Sequence, residues 1–156
     1  MPNSRSARLS SWQVWLLTIS GTVLWVSGMG WVLLHHYGQI QGQFGIETNP
    51  IEPWLLRIHG LVLIPALLGL GGLMIAHIPK GWRYESQRLA GVALSVLVFV
   101  LILSGYLLYY LGIEWLRDWT SLLHWTIGLL LPAVFAWHYA GRNASKLKAS
   151  TKAKGR

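Results

Sequence analysis

Residues 54–78 read WLLRIHGLVLIPALLGLGGLMIAHI, an almost uninterrupted apolar run. The run exceeds the roughly 20 residues that an α-helix needs to cross the hydrocarbon core of a bilayer. It contains one charged residue, Arg57, and two histidines, His59 and His77. We therefore predict a transmembrane helix here. Histidines inside such a helix are costly to bury and usually functional, so their positions are the main guide to function.

Three further apolar runs of similar length lie at about 12–36, 88–112 and 119–141. The composition of the whole chain agrees with four crossings, because 53% of the 156 residues are hydrophobic and only 12% are charged. A soluble domain has about twice that share of charged residues. We expect an all-α protein, an integral-membrane four-helix bundle formed by residues 1–142.

The positions of the basic residues predict the orientation in the membrane. The net charge is +8, and positive residues cluster before the first run, between the second and third runs, and after the fourth. By the positive-inside rule both termini are cytoplasmic, in a bacterial-type inner membrane. Basic residues placed at membrane edges do not favour nucleic-acid binding. Residues 143–156 are expected to be a disordered basic tail near anionic lipid headgroups.

Four histidines fall into two pairs of matching depth. His59 and His77 are 18 residues apart, five full turns, so they share one helix face. His124 and His138 are 14 residues apart, about 40° from alignment. The second and fourth helices run in the same direction, so His59 matches His124 near the outer face and His77 matches His138 near the inner face. The two spacings differ by about 6 Å of helix rise, so the inner pair requires a steep tilt of the second helix.

Each pair has the chemistry of a haem b site. Two imidazoles from facing helices can occupy both axial positions of one iron, which favours electron transfer over oxygen chemistry. Gly91 and Gly105 on the third run are also 14 residues apart, at the inner and outer depths respectively. On the first run Gly21, Gly28 and His35 recur every seven residues. Small residues also let membrane helices pack closely without a cofactor, so only the register with the histidines favours haem.

These residues resemble the two-haem transmembrane b-type cytochromes, namely the four-helix core of respiratory cytochrome b and the b-type subunits of membrane-bound hydrogenases and formate dehydrogenases. The resemblance implies that four histidines are haem ligands and two glycines face the haems: His59, His77, His124, His138, Gly91 and Gly105. It further implies an electron-transfer subunit acting between a quinone pool and a redox partner. That partner would be a periplasmic c-type cytochrome or another subunit of an oxidoreductase complex.

Four polar residues near the ligand depths have two interpretations each. Arg57 lies close to the outer level and Arg142 one turn beyond His138, so each arginine either pairs with a haem propionate or snorkels to the interface. His35 and His36 end the first run. They are either exposed interfacial residues or contacts to a propionate or to the hydroxyl proton of a quinol.

Other functions are constrained by what the sequence lacks. It has no cysteine, which excludes disulfides, covalent haem attachment and cysteine-ligated clusters. It also has no H-E-x-x-H motif of a metal hydrolase. Two alternatives stay open. One is a haem-free scaffold or assembly subunit of a larger membrane complex. The other is a carrier of small solutes or ions, for which intramembrane carboxylates or broken helices would be expected.

Overall fold

A computed structural model describes the chain over residues 10–76 and 88–154, with side chains described over 10–75 and 88–141. The chain divides into two compact units, Met1–Pro79 and Lys80–Arg156. Within the described residues each unit contains two helices, and the first unit also contains a short β-hairpin. In chain order the described elements are α1 Ser11–Tyr37, β1 Ile40–Gly42, β2 Gly45–Glu47, α2 Glu52–Ala76, α3 Arg88–Tyr110 and α4 Glu114–Lys154.

All four helices are long and apolar enough to cross a membrane. Within each candidate span no more than 11% of the residues are buried, and most of the large apolar side chains are exposed. The residues buried in these helices are mainly small: Ser20, Ser27, Ala66, Ala90 and Ser104. Small residues between helices and large apolar residues outside are typical of helices that pack in lipid. Length and composition thus agree with the predicted multi-pass membrane protein.

The fourth helix differs from its expected bounds. It begins at Glu114 rather than near 119 and continues to Lys154, through most of the tail whose composition predicts disorder. Residues 142–154 contain no glycine or proline, and the alanines, lysines and leucine among them favour helix. The backbone of residues 142–154 is therefore helical.

The connection between α1 and α2 contains the short β-hairpin of β1 and β2. Ile40 pairs with Glu47 in a short antiparallel ladder, and Gly45 adopts a φ of 127° that side chains other than hydrogen rarely tolerate. Asn49 fixes the entry into α2, because its amide nitrogen donates to the Gly38 carbonyl at 3.0 Å. This loop is thus a defined hairpin at the end of the first helix pair.

Helices α1 and α2 approach closely at glycines of α2. A Cβ atom at Gly69 would lie 2.8 Å from Cδ2 of Leu17, and a Cβ atom at Gly72 would lie 2.8 Å from Nε2 of Gln13. The missing side chains let two side chains of α1 reach the α2 backbone. This contact is the close packing by small residues that holds membrane helices together.

Candidate functional site

The predicted outer histidine of α2 faces a serine and a glycine of α1. Nδ1 of His59 lies 3.0 Å from Oγ of Ser27. A Cβ atom at Gly28 would lie 3.3 Å from Cε1 of the same ring. Ser27 is only 4% exposed, and His59 is half-buried. Glycine therefore leaves room for the imidazole and the serine hydroxyl binds it, and we refer to these three residues as the first Ser–Gly–His cluster.

The second unit repeats this arrangement at the other predicted outer histidine. Nδ1 of His124 on α4 lies 2.8 Å from Oγ of Ser104 on α3, and a Cβ atom at Gly105 would lie 3.1 Å from Cε1 of the ring. Ser104 is 3% exposed and His124 is half-buried. These residues form the second Ser–Gly–His cluster. Each unit therefore presents a serine–glycine step on its first helix to a histidine on its second helix.

The inner histidine of α4 also faces the predicted glycine. A Cβ atom at Gly91 would lie 3.7 Å from Cε1 of His138, an ordinary van der Waals contact. The residue before this glycine is Ala90, which is buried, so the inner step on α3 has no hydroxyl. His77, the predicted inner histidine of the second helix, lies outside the described residues.

The two predicted arginine contacts have different outcomes. Arg57 is exposed, and its guanidinium carbon lies 4.8 Å from the centroid of the Trp54 ring. A cation over the face of an exposed tryptophan is a favourable contact, and both interpretations of this arginine stay predictions. The backbone of Arg142 is part of α4, while its side chain lies outside the described side chains.

A buried carboxylate near the predicted outer end was missed by the sequence analysis. Glu52 is 5% exposed, and its Oε2 lies 3.0 Å from Nδ1 of His35. Its Oε1 accepts the backbone N–H of Asn49 at 3.2 Å. The ring of Trp31 stacks on His35 with centroids 4.6 Å apart. His35 therefore links the end of α1 to the start of α2. The available signal was the position of Glu52 in the first helical turn, where the helix dipole favours a carboxylate.

Each Ser–Gly–His cluster contains one imidazole as its metal-ligating group. Among the side chains described in the two units, no group of three His, Asp or Glu could hold a metal ion. A haem needs less from the protein, because the porphyrin supplies four ligands and each axial position takes one imidazole. One half-buried imidazole in each cluster is compatible with that smaller requirement.

Both clusters place an imidazole between two mostly apolar helices, next to a glycine and against a buried hydroxyl. Such a setting orients the ring. Comparisons of the chain with models of protein families, with curated proteins and with solved structures find no match.

Proposed function

We propose that the chain is a di-haem b-type membrane cytochrome that passes electrons across the bilayer between a quinone pool and a redox partner protein. The observation that supports this function best is the repetition of the Ser–Gly–His cluster in both units. The two histidines predicted to ligate one outer haem, His59 and His124, have the same type of partner and the same type of neighbouring glycine. Shared roles as the two axial ligands of one cofactor explain that repetition.

The residues fit a haem in three respects. Imidazole is the common axial ligand of b-type haems. Glycine beside each ring allows close approach from the neighbouring helix. The large apolar side chains exposed on the helices would face lipid, which keeps water away from the site. His59 and His124 would hold the outer haem, and His77 and His138 the inner one, because helical register matches these residues in depth.

A bound haem b supplies reversible one-electron transfer at its iron. The four histidines would hold the two haems, and the apolar side chains of the helices would surround them. The described helices carry little mass outside their spans, so electrons must come from and go to other molecules. We place both termini in the cytoplasm of a bacterial-type inner membrane. A periplasmic c-type cytochrome or another subunit of an oxidoreductase complex is then the redox partner.

A haem-free scaffold subunit is the second candidate function. It is favoured by the close contact of α1 with α2 at Gly69 and Gly72, which involves no histidine. In that case the small residues serve helix packing alone.

Variants of the two outer histidines distinguish these functions. We expect His59→Ala and His124→Ala each to lower the haem content from two per chain to one and to remove the same component of the reduced-minus-oxidised spectrum. The matched controls are Ile58→Ala and Leu123→Ala, which remove exposed neighbours on the same helices. The controls should keep both haems.

Two results would count against the proposed function. Full haem content in both histidine variants would exclude these residues as ligands. Loss of different spectral components in the two variants would show that the histidines do not share one haem. In either case circular dichroism must show that the variants keep the helical content of the wild-type chain.

A further inference from the structure

A carboxylate and an imidazole are in direct contact at the predicted outer end of the first unit. Oε2 of Glu52 lies 3.0 Å from Nδ1 of His35, and Oε1 accepts the backbone N–H of Asn49 at 3.2 Å. Glu52 also occupies the first turn of α2, where the helix dipole favours a negative charge. An ionised carboxylate has only lone pairs to offer, so Nδ1 of His35 is the donor. The lone pair of the neutral ring then lies on Nε2.

The two side chains of this contact differ in exposure. The side chain of Glu52 is 7% exposed, whereas that of His35 is 43% exposed. The His35 ring is stacked on Trp31 with centroids 4.6 Å apart, and the ring of His36 meets it in a T-shaped contact with centroids 5.3 Å apart. The imidazole is therefore held in place by a buried carboxylate and by ring contacts while part of it stays accessible. A histidine oriented in this way has the arrangement of a general base.

The His35–Glu52 pair lies in line with the first Ser–Gly–His cluster. Glu52 precedes His59 by seven residues on α2, and His35 follows Gly28 by seven residues on α1. Seven residues make almost two full turns, so the pair lies on the helix faces that bring Gly28 and His59 together. At a rise of 1.5 Å per residue, Glu52 is about 10 Å from His59 along α2. A molecule bound at His35 would thus lie two helical turns from a predicted ligand of the outer haem.

We propose that this pair transfers the proton of a quinol hydroxyl, with His35 as the catalytic residue and Glu52 as the residue that positions it. The inference rests on the proposed function, which needs a lipid-soluble electron carrier close to a haem. A quinol that gives up electrons also gives up protons. A neutral imidazole is the side chain best suited to accept a hydroxyl proton near neutral pH.

The reaction conserves atoms and electrons. Oxidation of one quinol to the quinone breaks two O–H bonds, and its two electrons reduce two haem irons by one electron each. The proton of the hydroxyl bound at Nε2 of His35 moves to that nitrogen, while Nδ1 keeps its proton and its contact with Glu52. The buried carboxylate stabilises the imidazolium that forms. The accessible ring returns this proton to water and accepts the second one in the same way. Reduction of a quinone uses the same atoms in reverse.

Binding is measured by ¹⁵N NMR of histidine-labelled full-length protein in lipid nanodiscs. The sample is kept reduced with dithionite, so that the added quinol, tetramethylhydroquinone, is not oxidised. We expect His35 to be protonated on Nδ1 in the free protein and its Nε2 resonance to shift during the titration. His36→Gln is the control, because the ring of His36 uses Nδ1 on the carbonyl oxygen of Val32, 3.0 Å away. That variant should keep the response of His35.

The haem-loaded protein provides a kinetic measurement. Stopped-flow absorbance follows the reduction of the oxidised haems by tetramethylhydroquinone. A general base contributes at least about a hundredfold, so His35→Gln should lower the limiting rate by about tenfold or more. The quinol concentration that gives half of this rate should change much less. Glu52→Gln should lower the limiting rate by about threefold or more, because a neutral amide does not stabilise an imidazolium. Reduction by dithionite needs no hydroxyl proton and should be as fast as in the wild type.

Glu47→Gln is the control for Glu52→Gln, because it changes an exposed carboxylate of β2. It should reduce its haems at the wild-type rate with both reductants. A free His35 protonated on Nε2, or a His35 ring that does not respond to the quinol, would overturn the inference. So would equal slowing of the quinol and dithionite reactions in His35→Gln, since that result indicates a structural effect on the haem.

These measurements separate the inference from the proposed function. A chain that carries two haems, and whose limiting rate with quinol is unchanged in His35→Gln, would support the cytochrome and contradict the role of His35. A chain that carries no haem, and whose His35 ring binds the quinol, would support the proton-transfer pair and contradict the cytochrome.

Discussion

Replacing Gly105 with alanine should weaken haem binding, whereas the same replacement at Gly91 should not. Both glycines lie in α3 and face a histidine of α4. The added Cβ atom would lie 3.1 Å from Cε1 of His124 in the first case and 3.7 Å from Cε1 of His138 in the second. Both variants gain the same helix propensity, about 1 kcal/mol for alanine over glycine. The difference between them therefore reports the contact with the ring.

The magnitude follows from the distance. At Gly105 the new methyl group is about 0.3 Å inside the 3.4 Å lower limit of ordinary contact. The imidazole must move by a few tenths of an ångström while Ser104 holds its Nδ1. Overpacking by one methyl group costs about 1 kcal/mol at the lower end of measured values, which is about fivefold in affinity. At Gly91 the added Cβ atom would make an ordinary van der Waals contact, so the haem affinity should change less than twofold.

The assay is a haemin titration of haem-free protein in nanodiscs, followed by visible absorbance. Gly105→Ala should raise the Kd of one of the two haems about fivefold, and that haem should be the one lost in His124→Ala. Gly91→Ala should bind both haems as the wild type does. Equal affinities in the two variants, or weaker binding in Gly91→Ala alone, would refute the idea that Gly105 makes room for a ligand.

Two further predictions concern the first unit and need no haem. Glu52→Gln leaves one acceptor oxygen where His35 and a backbone N–H now use two, so this variant should lower the free energy of unfolding by about 1 kcal/mol. Thermal denaturation followed by circular dichroism measures the loss. An equal loss in Glu47→Gln, which changes an exposed carboxylate of β2, would contradict the prediction. Gly69→Ala should destabilise the α1–α2 pair because its Cβ atom meets a side chain at 2.8 Å, while Gly71→Ala, whose Cβ atom meets nothing within 4 Å, should be neutral or stabilising. The reverse order of melting temperatures would show that α1 does not pack there.

The helices were predictable because length and apolar composition decide membrane spans. An apolar run of about 20 residues is long enough to predict a membrane-spanning helix. The structure has a helix at each of the four runs. The match in depth of Gly91 with His138 and of Gly105 with His124 was also accessible, because a fixed rise and rotation per residue convert equal spacing into equal depth. Arithmetic on the sequence could reach both results.

The serines, the buried carboxylate and the hairpin were not predicted, since each depends on contacts between elements. A serine in an apolar helix resembles any other small packing residue until its partner is known. The signal was present as Ser–Gly pairs at residues 27–28 and 104–105. Burial of Glu52 depends on how the end of α1 meets the start of α2. The helical tail depends on alanine and lysine propensity, which competes with the polarity that predicts disorder.

The most direct test of the proposed function is the haem b content of the purified full-length chain. A pyridine haemochrome assay, combined with a reduced-minus-oxidised visible spectrum, measures haem per polypeptide without any variant. A two-haem cytochrome predicts two haem b per chain and the sharp reduced bands of bis-histidine ligation. A chain that is helical by circular dichroism, is expressed with ample haem and yet carries none would contradict the cytochrome and favour the scaffold subunit.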